Sequence, residues 1–188
     1  MQQVTTTQTR AISTRDETEI LDDAVHQMWL QNCSLYVFVE QSIYPSNEVK
    51  HAIDLAEKQL TSDEYMAAVK QAARASEKAT ERDLRTELSL LVAAYPNAAR
   101  SDLSAYGALL LKDVAAQQPS SYALATACKQ LRRSKKFIPS VAEVLEAITE
   151  AERTLKSHNF HIARLPIAVA KARAILTEYE RIETRKKG

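Results

Sequence analysis

Glycine is almost absent from this sequence, which contains only Gly107 and Gly188 among its 188 residues. A typical soluble protein contains about 7% glycine. Glycine supplies the positive backbone φ angles that tight β-hairpins and phosphate-binding loops require. Its scarcity argues against a sheet built from hairpins and excludes both a Walker A loop and a dinucleotide-binding turn.

Cysteine and long apolar runs are also scarce. The two cysteines, Cys33 and Cys128, are far apart and show no CxxC or Cys/His spacing. Both lie among apolar residues, so we expect buried thiols in a reducing compartment. The polar start of the chain, residues 1–14, lacks the apolar core of a signal peptide, and no apolar run reaches the roughly 18 residues of a membrane span. We therefore expect a soluble, cytoplasmic protein.

The sequence contains no recognisable catalytic signature. His158 and His161 are three positions apart and can share a helix face, but only Glu150 and Glu152 lie near them as further ligands. A zinc site usually needs four ligands. The acidic first helix lacks the Glu-x-x-His motif of di-metal bundles, and no serine has the Gly-x-Ser-x-Gly context of a hydrolase. We therefore expect neither enzymatic activity nor a metal or cofactor.

The residues that are present favour helices. Alanine, leucine, glutamate, glutamine, lysine and arginine dominate, and these are strong helix formers. We predict an all-α protein, a multi-helix bundle with a long C-terminal helix that is kinked or briefly broken at Pro166. The predicted segments are a disordered N-terminus (1–13), an N-terminal helical region (14–76), a helical core (77–150) and a C-terminal helical extension (151–188).

Capping patterns indicate where the helices begin. A capping box at Thr14 predicts the start of the first helix, and the apolar run at residues 35–39 is interpreted as its fully buried continuation. A second box at Thr61 predicts a long helix that extends to Ala94. The middle of that helix has few large apolar residues, so residues near 76–80 are the best candidate for a boundary.

Two proline turns enclose the most informative part of the chain. The first lies at residues 95–97 and the second at residues 137–139, with two short helices predicted between them. Ser140 and Glu143 form a clear capping box that begins the long last helix. The aromatic residues of the two turns, Tyr95 and Phe137, are expected to pack inward, as aromatic side chains beside proline turns usually do.

A cluster of cations precedes the second turn. It contains five basic residues within eight positions, which either follow the favourable placement of cations at a helix C-terminus or meet an acidic groove or phosphates of a partner. We name it the basic cluster and predict that it binds a partner together with the apolar residue of the turn. The predicted partner-binding residues are Lys129, Arg132, Arg133, Lys135, Lys136 and Ile138.

The region between the two turns resembles phage-encoded replicative helicase loaders, a family of small all-helical proteins that bind a hexameric helicase. The resemblance covers residues 95–143 and rests on short motifs. Tyr106 stands where these loaders often have tryptophan, and Ile138 replaces the first proline of their second turn. The matching residues are Tyr95, Pro96, Asn97, Leu109, Ala125, Ala127, Lys136, Phe137, Pro139, Ala142 and Glu143.

This resemblance implies a phage or prophage adaptor in DNA replication, without an ATPase of its own, that binds a hexameric replicative helicase. Two alternatives stay open: a phage inhibitor that blocks a host defence complex, and a helical DNA-binding protein. The long last helix is also suited to homodimerisation, because its apolar residues recur at three- and four-residue steps. In the DNA-binding alternative, the contacting residues are Arg132, Arg133, Lys135, Lys136, Arg181, Arg185, Lys186 and Lys187.

Overall fold

The computed structural model describes residues 5–41, 45, 47–95 and 103–187, with side chains from residue 18 to residue 186. The described residues form helices and connecting turns, with no strand among them, which confirms the all-α prediction. Pro96 and Asn97 of the first turn lie outside the described residues. The helices are α1 (Thr5–Gln41), α2 (Asn47–Leu60), α3 (Asp63–Ala75), α4 (Glu81–Ala93), α5 (Leu103–Gln117), α6 (Ser121–Ser134) and α7 (Val141–Lys187).

The chain folds into two compact units, each assembled from separate parts of the sequence. The first unit comprises Met1–Ile20 and Gln71–Ser157, and the second comprises Leu21–Lys70 and His158–Gly188. Helices α1, α3 and α7 each contribute residues to both units. The units therefore do not follow the contiguous segments expected from the sequence, because helices distant in the chain pack together.

The core of the first unit is apolar and is built from α4, α5, α6 and the first part of α7. Helix α4 packs against α5 and α6. Leucine, valine, isoleucine and alanine side chains fill the interior, which also contains the buried thiol of Cys128. The largest fully buried side chains in this unit are those of Tyr122, Leu91, Leu110, Leu124, Ile148, Val114 and Val144.

Two turns of the first unit, at residues 77–79 and 119–121, are hydrogen-bonded to each other and position the helices that they connect. The backbone N–H of Ala79 donates to the carbonyl of Pro119 at 2.9 Å, and the N–H of Ser121 donates to the carbonyl of Glu77 at 2.8 Å. Thr80 caps α4 through a capping box with Asp83. These bonds account for the break between α3 and α4. The sequence analysis expected one continuous helix here with a boundary between units near residues 76–80, whereas the two units divide after Lys70.

The second unit combines apolar packing with ion pairs between helices. Arg173 of α7 donates from Nε to Glu57 at 2.9 Å and from an η nitrogen to Asp54 at 2.9 Å. Because both acceptors are carboxylates of α2, this bidentate contact joins α2 to α7 and raises the pKa of Arg173. Arg164 lies over the ring of Tyr36, 4.4 Å from its centroid, and also forms an ion pair with Glu40 of α1.

Pro166 lies inside α7 and the helix continues through it without a break. A proline has no N–H, so the carbonyl of Ile162, four residues earlier, loses its helical donor. The hydroxyl of Tyr65 donates to that carbonyl at 3.2 Å. A side chain of α3 thus satisfies the carbonyl that Pro166 leaves without a backbone partner.

Several local predictions were wrong. Helix α1 begins at Thr5 instead of Thr14, so the helix also covers residues expected to be disordered. The single helix expected from Thr61 is two helices, and the hydroxyl of Ser62 accepts the N–H of Tyr65 at the start of α3. The early start of α1 has no explanation in local composition, because residues 5–13 are rich in threonine. In the second case the turn pairing at 77–80 breaks the helix.

Two burial predictions on α1 were also wrong. In the apolar run at 35–39, Leu35, Tyr36 and Phe38 are buried, but Val37 is 44% exposed. Cys33 is exposed as well, and its thiol donates to the carbonyl of Leu30. Both side chains lie on the outer face of α1, because a helix in contact with the core on one side exposes the opposite side.

Candidate protein-binding surface

The turn between α6 and α7, residues 135–140, is held at several points. The hydroxyl of Tyr95 donates to the carbonyl of Leu131 at 2.9 Å, near the end of α6. The hydroxyl of Tyr106 donates to the carbonyl of Pro139 at 2.6 Å, near the start of α7. Desolvation raises the pKa of both phenols, so both remain protonated donors at neutral pH. The inward packing predicted for Tyr95 is confirmed, since its side chain is buried.

The predicted capping box at the start of α7 is also confirmed. The N–H of Ser140 donates to Glu143 Oε2 at 2.8 Å, and the N–H of Glu143 donates to the Ser140 hydroxyl at 3.3 Å. Lys135 donates from Nζ to Glu143 Oε1 at 2.7 Å. The bond from Lys135 and the bonds that the N–H and the hydroxyl of Ser140 donate to the Glu143 carboxylate lower the pKa of Glu143 from 4.5 to about 2. Glu143 is therefore a charged cap that also binds the basic cluster.

Phe137 is the main difference from the sequence analysis. We expected its ring to pack into the core, but the residue is 71% exposed. The next two residues take the inward positions: Ile138 is half-buried against the core of the first unit, and Pro139 is buried. Because these two apolar residues already fill the space beneath the turn, the phenylalanine ring projects into solvent.

The five cations of the basic cluster have different surroundings. Lys129 forms an ion pair with Glu19 of α1, and its side chain is largely buried. Arg132 Nη1 lies 3.5 Å from Glu87 Oε2, and only 16% of the arginine side chain and 7% of the glutamate side chain are exposed. Lys129 and Arg132 therefore hold helices of the first unit together.

The remaining cations of the cluster are exposed. Arg133 is 72% exposed and reaches Glu19 only at 3.9 Å, and Lys135 is engaged with Glu143. Within the described part of the chain, Lys136 has no ion pair and its side chain is exposed. Arg133, Lys136 and Phe137 lie within five positions of one another in the sequence and are all exposed, so we treat them as one candidate surface of two cations and one aromatic ring.

The basic C-terminal residues of the DNA-binding alternative lie on α7 in the second unit. Arg181 pairs with Glu178 at 2.7 Å, and Lys186 lies 3.6 Å from Glu183. Arg185 is exposed, and the side chain of Lys187 lies outside the described residues. Several of the cations proposed for DNA contact are therefore already neutralised by carboxylates of this chain.

The two histidines of the sequence analysis lie on α7, where His158 faces an acidic residue of α1. His158 Nδ1 lies 3.4 Å from Asp22 Oδ1. Burial lowers the pKa of His158, and the Asp22 carboxylate only partly opposes this effect. Among the described residues, no group of three or more histidine, cysteine, aspartate or glutamate side chains is arranged to hold a metal ion.

The described helices also include none that is both long and apolar enough to cross a bilayer. Comparison of the chain with protein families, curated proteins and solved structures finds no match. The surface formed by Arg133, Lys136 and Phe137 is therefore the candidate functional site of the described residues. The sequence analysis named its two cations but missed the aromatic ring, because no local pattern distinguishes an inward from an outward phenylalanine at a proline turn.

Proposed function

We propose that this protein is a non-enzymatic adaptor that binds a protein partner through the turn between α6 and α7. The proposed partner is a hexameric replicative helicase, the class bound by the loaders that residues 95–143 resemble. The exposed ring of Phe137, beside the exposed cation of Lys136, is the observation that supports the proposal.

An exposed phenylalanine next to cations fits one kind of partner surface. Aromatic side chains supply much of the binding energy at interfaces when they enter a desolvated pocket. The flanking cations, Arg133 and Lys136, favour a pocket whose rim carries aspartate or glutamate. We therefore expect the partner to present an apolar pocket with an acidic rim.

The turn is well ordered for this role. The tyrosine bonds to the backbone at Leu131 and Pro139 fix both ends of the turn. The capping box of Ser140 and Glu143 fixes the start of α7. A preordered turn loses little conformational entropy on binding, so more of the contact energy contributes to affinity.

Binding through this turn would act on a ring-shaped ATPase through the conformational equilibrium of the ring. A ligand shifts a conformational equilibrium only by its difference in affinity for the two states. An adaptor that binds the open ring more tightly than the closed ring would promote loading, and the opposite preference would inhibit it. The same surface also suits an inhibitor of a host defence complex, so identification of the partner separates the two functions.

The test is equilibrium binding of the purified chain to the purified hexameric replicative helicase of its host, by sedimentation or interferometry, with nuclease-treated samples. We expect Phe137→Ala to weaken binding by about 30-fold, which corresponds to the roughly 2 kcal/mol of an interface hot spot. The matched control is Phe160→Ala on α7, because Phe160 is also exposed, at 59%.

Two further variants test the charges. Lys136→Glu should weaken binding and Arg185→Glu should not, because only Lys136 adjoins Phe137. Absence of helicase binding, or equal losses for Phe137→Ala and Phe160→Ala, would contradict the proposal. Binding that disappears on nuclease treatment would support the DNA-binding alternative, and capture of a defence-complex subunit by the same turn would support the inhibitor.

A further inference from the structure

A groove runs between α4 and α5 in the first unit. Its lining residues lie between positions 85 and 111 and do not include Phe137. Its volume is about 520 Å³, and most of its lining is apolar, including Leu88, Val92, Leu103 and Leu111. Arg85 is the first lining residue along α4, so it lies at one end of the groove. Long grooves of this kind between two helices commonly receive a third helix.

Gly107 lines the groove in the middle of α5 and is the only glycine inside the sequence. Glycine in a helix interior is less favourable than alanine by about 0.8–1.0 kcal/mol. Gly107 has no positive φ, and a Cβ added to it would meet no described atom within 4 Å. The fold of the described residues therefore gives no reason for a glycine here.

A residue without a side chain allows another backbone to approach closely. An approaching helix would cover the apolar groove lining and would pass directly over Gly107. The glycine that the isolated chain does not require thus has a physical role in a complex. The groove and the glycine are separate observations, and both indicate a contact from outside the described chain.

Arg85 indicates the charge of the approaching helix. It forms an ion pair with Glu81 at 2.6 Å, but both side chains are mostly exposed, at 64% and 73%. An exposed pair of this kind contributes only about 0–1 kcal/mol. A carboxylate from a partner can therefore replace Glu81 at little cost, whereas a partner lysine would meet the positive guanidinium of Arg85.

We propose that the groove between α4 and α5 binds an amphipathic helix of a protein partner, packed closely at Gly107 with an acidic side chain next to Arg85. The groove shares no lining residue with the surface formed by Arg133, Lys136 and Phe137. Peptide binding to this groove can be tested without the helicase, so its result does not depend on the helicase hypothesis.

The test uses the full chain and two designed, fluorescently labelled helical peptides as probes. Both peptides carry the same leucine and alanine face, and they differ only in glutamate or lysine at the position next to Arg85. We expect the acidic peptide to bind at least tenfold more tightly than the basic one in fluorescence anisotropy. The variant Arg85→Glu should reverse this preference.

Filling the groove supplies the steric test. Gly107→Leu should abolish binding of the acidic peptide, while the matched control Ala108→Leu, at an exposed position outside the groove lining, should not. Circular dichroism and thermal unfolding establish that both variants fold. Equal affinity for the two peptides, no binding of either, or unchanged binding by folded Gly107→Leu would each overturn the proposal.

Discussion

Arg132 and Lys136 are four residues apart in the same basic cluster, yet their surroundings are opposite. The guanidinium of Arg132 is buried 3.5 Å from the carboxylate of Glu87, and the ammonium of Lys136 is exposed without an ion pair among the described residues. A run of cations in a sequence therefore does not identify a binding surface. The position of carboxylates far away in the chain decides which cations are available to a partner.

The largest expected effect on the free energy of unfolding comes from the ion pair of Arg132 and Glu87. Glu87→Ala leaves the guanidinium of Arg132 without its carboxylate in a largely buried position. Removing one member of a buried ion pair typically costs about 3–5 kcal/mol of unfolding free energy. We expect a loss of about 3 kcal/mol in chemical denaturation, and less than about 0.5 kcal/mol for Glu81→Ala, whose carboxylate is exposed.

A double variant sharpens this comparison. Glu87→Leu combined with Arg132→Leu removes both charges and leaves apolar side chains in their place. Because an apolar replacement of a buried pair is often neutral, the double variant should be more stable than Glu87→Ala. Equal stability of Glu87→Ala and Glu81→Ala would show that the pair is not buried as described.

The next largest effect on stability concerns the partly buried hydrogen bond between Tyr65 and Ile162 in the second unit. Tyr65→Phe removes the hydroxyl that donates to the carbonyl of Ile162. We expect a loss of about 1 kcal/mol in unfolding free energy, the usual contribution of one hydrogen bond. In a Pro166→Ala background the helix regains its own donor, so Tyr65→Phe should cost less there. The same cost in both backgrounds would contradict the role assigned to Tyr65.

A smaller, stabilising effect is expected from a substitution in α5. Gly107→Ala adds a methyl group where no described atom lies within 4 Å and removes the unfavourable flexibility of glycine. We expect an increase of about 0.5–1 kcal/mol in unfolding free energy. A decrease, measured by urea denaturation, would mean that the groove is already occupied within the chain.

The exposed pair of Lys135 and Glu143 should be detectable through its pH dependence. The pKa of Glu143 falls from 4.5 to about 2 on folding, so its stabilising contribution is present above about pH 4.5 and is lost as pH falls towards 2. Glu143→Gln should therefore reduce the fall in Tm between pH 6 and pH 2.5. The control Glu64→Gln, at an exposed carboxylate of α3, should leave that fall unchanged.

Signals that act within a few residues were predictable from the sequence. The capping box of Ser140 and Glu143 follows from local chemistry. The break between α3 and α4 was not predicted, because it depends on the hydrogen bonds that join residues 77–79 to residues 119–121. The outward direction of Phe137 was not predictable, because Ile138 and Pro139 compete with it for the same interior space. The pairing of Arg132 with Glu87 joins two helices, and no local pattern encodes it. The groove at Gly107 likewise exists only once α4 and α5 have packed.

The most direct test of the account is the unfolding free energy of Phe137→Ala, measured by urea denaturation beside the wild-type chain. An exposed ring makes few contacts in the folded chain, so the account predicts a change of less than about 0.5 kcal/mol. A buried phenylalanine would cost about 3–5 kcal/mol on the same substitution. A loss of that size would place Phe137 in the core and contradict the proposal that this ring is presented to a partner.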